Sequence, residues 1–336
     1  MRRRSFASAT ALGLVLASSL LPSTPARAAV FVTEPKLTAQ ATVFAYGGAG
    51  CSASNNGKTD VTPLELNGEP QPRSLQNTAV VSDVQGPSTS ISQTLSGYGS
   101  ASLRNGRLSS FDLEASGRVE LDATGGQTCG TGQWTSLHQG LDFTIDEPQW
   151  LTVSLVLDRQ TSAWLEASNE EGTTWFEIDN GENGGTSTIT SYLPPGDYDL
   201  EASIGWGPWL EPGQDRILRE GSGEVHLRLH DIGSALGAAT GTGRKYVGLG
   251  AQVSCGAPSL PARFTRSAGR VRSASFVVNG TVVKTVRAPQ VGQRVAVRVP
   301  RFGQAHVKVV LVVDPPGDTR SAKVAVTRSY RACSAR

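Results

Sequence analysis

Apolar side chains in this chain alternate with polar ones in short runs, and long stretches with helical spacing are absent. Leu151-Thr-Val-Ser-Leu-Val-Leu157, Val295-Ala-Val-Arg-Val299 and Val307-Lys-Val-Val-Leu311 place every second residue on one face. A period of two is the pattern of a half-buried strand. Asn105-Gly106 and Asn279-Gly280 separate such runs. Asn-Gly is the strongest short hairpin signal, because both residues tolerate positive φ. The pattern predicts an all-β protein made of antiparallel sandwiches, with one short helix-like stretch, Ser234 to Ala239.

Charge divides the chain. Residues 30–231 hold 10 Lys and Arg against 27 Asp and Glu, a net −17. Residues 232–336 hold 17 Lys and Arg against 2 acids, a net +15. The boundary falls in Ile232-Gly-Ser-Ala-Leu-Gly-Ala-Ala-Thr-Gly-Thr-Gly243, whose small, uncharged composition predicts a flexible linker over 232–244. The expected domains are an acidic sandwich over 30–231, as one large or two small units, and a basic sandwich over 245–336.

The N-terminus carries Arg2, Arg3 and Arg4, an apolar run from Phe6 to Leu21, and Ala26-Arg27-Ala28. This is the layout of a secretory signal peptide over 1–28, with cleavage expected before Ala29. Arg3-Arg4-Ser5-Phe6 leaves the general and twin-arginine export routes both open. The run is too short for a membrane span. The expected location is extracellular, secreted or held at the cell surface. Four cysteines in an exported chain point to disulfides, and the absence of a CxxC pair argues against zinc. Of three connectivities, Cys51–Cys129 with Cys255–Cys333 keeps each bridge within one expected domain.

Two segments resemble known modules. Leu193-Pro-Pro-Gly-Asp-Tyr-Asp-Leu200, with Leu141 to Asp146 and Leu151 to Leu157, is similar to the jelly-roll pre-peptidase C-terminal modules appended to secreted bacterial enzymes. That resemblance covers roughly residues 137–205 and implies a non-catalytic module. Val271 to Val286, Ala288-Pro289 and the strand at Val295 resemble the Ig-like repeats of bacterial surface proteins. The C-terminal part departs from the antibody pattern: no Trp packs on its bridge, and Cys333 follows the last strand.

Catalytic signatures are missing: there is no HExxH, GxSxG, Walker A or dinucleotide fingerprint. No cofactor and no enzymatic activity are expected. His226 and His230 share one strand face with Arg228 between them, which disfavours a metal. Asp179 to Gly185 lacks the order of an EF-hand and reads as a solvated turn. Acidic pairs suited to glycoside hydrolysis are abundant but undirected.

All six tryptophans fall between Trp134 and Trp209, in the acidic half. A turn at Asn169 to Gly172 would pair Trp164 with Glu177 and Glu166 with Trp175. Their face would be opposite Leu165, Ala167, Phe176 and Ile178. Two rings beside two carboxylates suit a sugar or a cation, and Trp206-Gly-Pro-Trp209 adds two rings. In the basic half, Arg294, Arg298 and Lys308 form an expected anion-binding stripe, with Arg298 brought beside Lys308 by a turn at Pro300 to Gln304.

The leading expectation is a non-catalytic binding protein whose acidic domain takes a glycan and whose basic domain attaches to an anionic wall polymer. One alternative is an adhesion protein whose oppositely charged domains dock; another is a glycan-active enzyme of unrecognised type. Nucleic acid is disfavoured, because the aromatic residues lie away from the basic stripe.

Overall fold

The computed structural model describes residues 35–335, apart from 48–49, 85, 105–106, 125–127, 170–173, 180–183 and 315–319. The expected signal peptide lies outside the described residues, as do 180–183 of the acidic turn. The described chain is an all-β protein of antiparallel sheets, as the alternation predicts. Among the described residues no helix is long and apolar enough to cross a membrane.

The first fourteen strands are β1 (Lys36–Tyr46), β2 (Ser52–Ala53), β3 (Gly57–Pro63), β4 (Gln71–Ser82), β5 (Ser88–Arg104), β6 (Arg107–Ala123) and β7 (Gly130–Ile145), then β8 (Gln149–Leu157), β9 (Ser162–Asn169), β10 (Thr174–Asp179), β11 (Gly185–Leu193), β12 (Gly196–Trp206), β13 (Trp209–Leu210) and β14 (Arg216–Asp231). They make two sheets. The first runs β10-β9-β12-β7-β1-β3, with β13 also paired to β7. The second runs β11-β8-β14-β6-β5-β4-β2. Alternate residues point inward: Leu37, Ala39, Ala41 and Val43 on β1 meet Leu137, Leu141 and Phe143 on β7 and Phe111, Leu113 and Val119 on β6 in one core.

Glycines let the sheets close on bulky rings. A methyl group at Gly117 (β6) would come within 2.5 Å of the Trp206 ring, and one at Gly221 (β14) within 3.0 Å. Trp206 on β12 therefore fills a slot that only glycine backbone on the facing sheet leaves open. It is 1 % exposed. One end of this interior is polar. Asn77 donates to Gln93 at 2.8 Å, and Gln93 donates to Thr135 Oγ1 at 3.0 Å and to the Thr42 carbonyl at 3.2 Å. Such groups tolerate burial because they are hydrogen-bonded.

The remaining strands are β15 (Val247–Leu249), β16 (Ser259–Phe264), β17 (Val271–Val278), β18 (Thr281–Arg287), β19 (Arg294–Arg298), β20 (Ala305–Val313) and β21 (Ala322–Tyr330). They form a three-stranded sheet, β15-β16-β19, and a four-stranded sheet, β18-β17-β20-β21. Between them lies a separate core of Val247, Leu260, Phe264, Phe276, Val297, Val309, Leu311 and Tyr330. Asn279 and Gly280 turn β17 into β18 with φ of 48° and 84°, as the Asn-Gly signal predicts.

Both disulfides follow the sequential pairing, Cys51–Cys129 and Cys255–Cys333. The stretch expected to be a flexible linker is different. Ser234, Ala235 and Thr240 form bridges with Gln252, Tyr330 and Thr327, and Leu236 N donates to Ser329 O at 2.9 Å. A methyl group at Gly243 would meet the Ala325 backbone at 2.7 Å. The glycines there permit close packing on β21, so a composition that signals freedom serves contact instead. The expected short helix over 234–239 is replaced by these bridges.

The halves also touch directly. The Trp150 indole donates to the Ala332 carbonyl at 2.8 Å, and the Gly233 amide donates to the same oxygen at 3.2 Å. His230 sits at this junction near Arg331 and Arg228. Burial first, and then those two cations, push its imidazole down to about 4, so it is neutral at pH 7. The bond that joins the halves here is the one from the Trp150 indole to the Ala332 carbonyl, beside a neutral imidazole.

Candidate functional site

Sheet register decides the fate of each expected site residue. On β9 and β10, Trp164 lies opposite Asp179 and Glu166 opposite Glu177. The expected pairs, Trp164 with Glu177 and Glu166 with Trp175, are therefore corrected. An irregularity between Thr174 and Phe176 interrupts the ladder, and Leu165 lies opposite Ile178 and Ala167 opposite Phe176. Leu165 and Ala167 are fully buried, and Trp164 and Glu166 are half-buried on the other face. Trp206 is corrected from ligand platform to core.

Beside Trp164 the outer face of the first sheet collects carboxylates. Glu166 pairs with Glu201 on β12, and Asp199 pairs with Asp142 on β7. Asp142, Asp199 and Glu201 line a shallow concavity of about 400 Å³ with Lys36 and His138. Burial first, then Glu201 and Asp142, push the Asp199 carboxyl up to about 6. Like charges on adjacent strands oppose one another's ionisation. Among the described residues no cluster of His, Cys, Asp and Glu is arranged to hold a metal ion.

Two aromatic rings that reach solvent lie at the far end of the same sheet. Trp209 on β13 is 57 % exposed and Phe44 on β1 is 42 % exposed. Their ring centroids are 5.4 Å apart, and the Tyr46 ring centroid lies 5.7 Å from that of Trp209. The three rings rest on a backbone floor. Methyl groups at Gly132 would meet Trp209 at 2.7 Å, and Gly130 lies beneath Tyr46. Tyr46 donates its hydroxyl to the Leu210 carbonyl at 3.2 Å. Burial, and then the Glu211 carboxylate, raise its pKa and keep it a neutral donor. On the same outer face Trp134 lies over Gly205.

Trp209 also walls a cleft of about 200 Å³, lined further by Gln160, Gly207, Pro208 and Arg219. Arg219 comes from β14 of the facing sheet, so the cleft opens at the end of the sandwich between its two layers. Behind its wall, Thr161 Oγ1 and Trp206 Nε1 are buried without a hydrogen-bond partner. Phe44, Tyr46 and Arg219 escape the sequence reading. Their only signal is Val43-Phe-Ala-Tyr46, where both faces of the strand are apolar and alternation does not say which is wet.

In the basic half, Arg294 lies directly opposite Arg263, and Arg298 opposite Ser259, on the exposed face of the three-stranded sheet. Lys308 sits on the four-stranded sheet between Val277 and Thr327. The expected Arg298–Lys308 neighbourhood is thus corrected: the chain after β19 changes sheets instead of forming a hairpin. Among the described residues Asp314 is the only acid of this module, and it pairs with Arg272 at 2.8 Å.

No family model and no curated protein matches this chain. Structural neighbours include the glycoside hydrolase domain of Endo-D from Streptococcus pneumoniae R6, 9 % identical with TM-score 0.19, covering 63 % of this chain and 33 % of that one. The chain thus spans about a third of that neighbour. Another is the adhesin domain of Epf from Streptococcus pyogenes, 9 % identical with TM-score 0.18, covering 84 % and 89 %. A third is infectious bursal disease virus Gx strain, 10 % identical with TM-score 0.20, covering 90 % and 64 %. At these scores the likenesses carry no argument about what the chain does.

Proposed function

We propose that the protein is an exported, non-catalytic glycan-binding protein, and that the Phe44–Trp209–Tyr46 platform is its binding surface. The observation that carries this reading is the solvent-exposed ring cluster laid on a glycine floor. Exposed aromatic patches cost hydration free energy and mark interaction sites. Sugar rings present apolar C–H faces with polar rims, which suits rings flanked by hydroxyl, amide and carbonyl groups. Trp209→Ala and Phe44→Ala should each weaken binding to an oligosaccharide panel by about tenfold or more, with melting temperature nearly unchanged. Isothermal titration of the full chain checks this, and unaltered affinity in both variants would sink the platform.

A second surface favours attachment to an anionic wall polymer. Arg263 and Arg294 are like charges directly across a ladder, a destabilising arrangement. A bound polyanion relieves that repulsion. The pair resembles Arg298 and Lys308 in exposure, but lies on one face with Arg298 alone. Arg263→Ser with Arg294→Ser should release the chain from a polyol-phosphate column at lower salt than the unaltered chain. Identical elution would remove this role.

A further inference from the structure

Arg219 is half-buried, yet among the described residues it makes no ion pair and no hydrogen bond. Other arginines of the second sheet are engaged. Arg216 pairs with Glu120, Arg118 pairs with Glu120 and Glu220, and Arg228 pairs with Asp112. An unpaired, partly desolvated guanidinium is costly, and this one lines the cleft walled by Trp209 and Gln160. Three chemistries converge there: an aromatic face, an amide that donates and accepts, and a fixed fork of N–H donors.

We infer that the cleft beside Trp209 binds a sugar residue carrying a carboxylate, a uronic acid, with Arg219 as its anion partner. This rests on the glycan-binding reading and narrows it to a substrate class. Guanidinium and carboxylate match in a bidentate geometry that a neutral sugar does not satisfy. The volume of about 200 Å³ admits a single residue rather than a chain segment. The acidic half carries a net −17, which repels densely charged polymers at long range. Selection therefore falls on an isolated or terminal acidic residue whose sugar ring stacks on Trp209. Gln160, held at φ 73°, sits where its amide meets a ring hydroxyl.

The experiment is titration of the full chain with a galactose trisaccharide ending in one galacturonic acid residue, with galactotriose of equal length and with inorganic sulfate. The acidic trimer should bind about tenfold or more tighter than the neutral one at low salt. Arg219→Gln should remove that preference, a loss of roughly 10–100-fold for the acidic trimer alone. Arg219→Lys should restore part of it. Because Arg219 makes no hydrogen bond or ion pair among the described residues, both variants should melt with the unaltered chain. If one does not fold, the other carries the comparison. Equal affinities for the two trimers, unmoved by either variant, overturn the inference and leave the platform standing. Sulfate displacing the trimer at equal concentration overturns it too, because the site then reads charge alone. Binding of neither trimer removes both the inference and the platform.

Discussion

Replacing Trp206 with Ala should cost about 3–5 kcal/mol of folding free energy, whereas Trp209→Ala should cost less than about 1 kcal/mol. The two rings are three residues apart in sequence and live in different phases. Trp206 fills the slot above Gly117 and Gly221 and is 1 % exposed, so its removal leaves a ring-sized cavity between two sheets. The gap cannot collapse easily, because both walls are strand backbone tied into seven-stranded sheets. Trp209 stands 57 % exposed and loses mainly contacts with Phe44 and Tyr46. Urea unfolding of both variants, with slopes compared to the unaltered chain, measures the difference. Equal losses would show that Trp209 is core, and a small loss at Trp206 would show that the slot repacks.

Where physics is local, the sequence reading reached the structure. Period-two alternation located β8, β19 and β20, because a strand with one buried face leaves no other arrangement. Asn279-Gly280 located a hairpin because two consecutive positive φ values suit few other pairs. The cysteine pairing followed from keeping each bridge inside one charge half. Reading failed where a residue's role is set by a distant partner. Gly241 and Gly243 look like hinge residues until Ala325, more than eighty residues on, packs against them. Arg298 and Lys308 look like hairpin neighbours because the segment between them is short. The chain instead passes from one sheet to the other, as alternation on both sides equally permits.

The site was partly legible for the same reason. Among the described residues only Trp209 of the six tryptophans in the acidic half joins the exposed cluster, and nothing local distinguishes it from Trp206 in Trp-Gly-Pro-Trp. The distinction is made by Gly117 and Gly221 on strands of the other sheet. Phe44 and Tyr46 come from the opposite end of the domain in sequence and reach Trp209 only through the β1–β7 and β13–β7 ladders. Arg219 alternates with apolar Ile217 and Gly221 on the inward face of β14, where a charge has no periodic signature. Its exposure depends on the sandwich ending there.

Removing either disulfide should destabilise its own half by about 4–5 kcal/mol, since each closes the chain across a sequence separation of 78. The two removals should nevertheless differ in their effect on binding. Cys129 immediately precedes Gly130, the floor beneath Tyr46, and Cys51 ties it to the start of β2 at the edge of the second sheet. Cys51→Ser with Cys129→Ser should therefore lower the melting of the acidic sandwich and weaken ligand binding at the platform. Cys255→Ser with Cys333→Ser loosens the chain around Ala332, whose carbonyl receives the Trp150 indole and the Gly233 amide. That pair should lower the melting of the basic module, expose Trp150 to quenchers, and leave platform affinity unchanged. Because the two cores share no buried residue, calorimetry should show one transition moving while the other stays. A common shift of both transitions, whichever bridge is absent, would mean that the junction at Ala332 makes the halves one cooperative unit. Loss of platform binding in the C-terminal pair would place the junction, rather than the Gly130 floor, in control of the site.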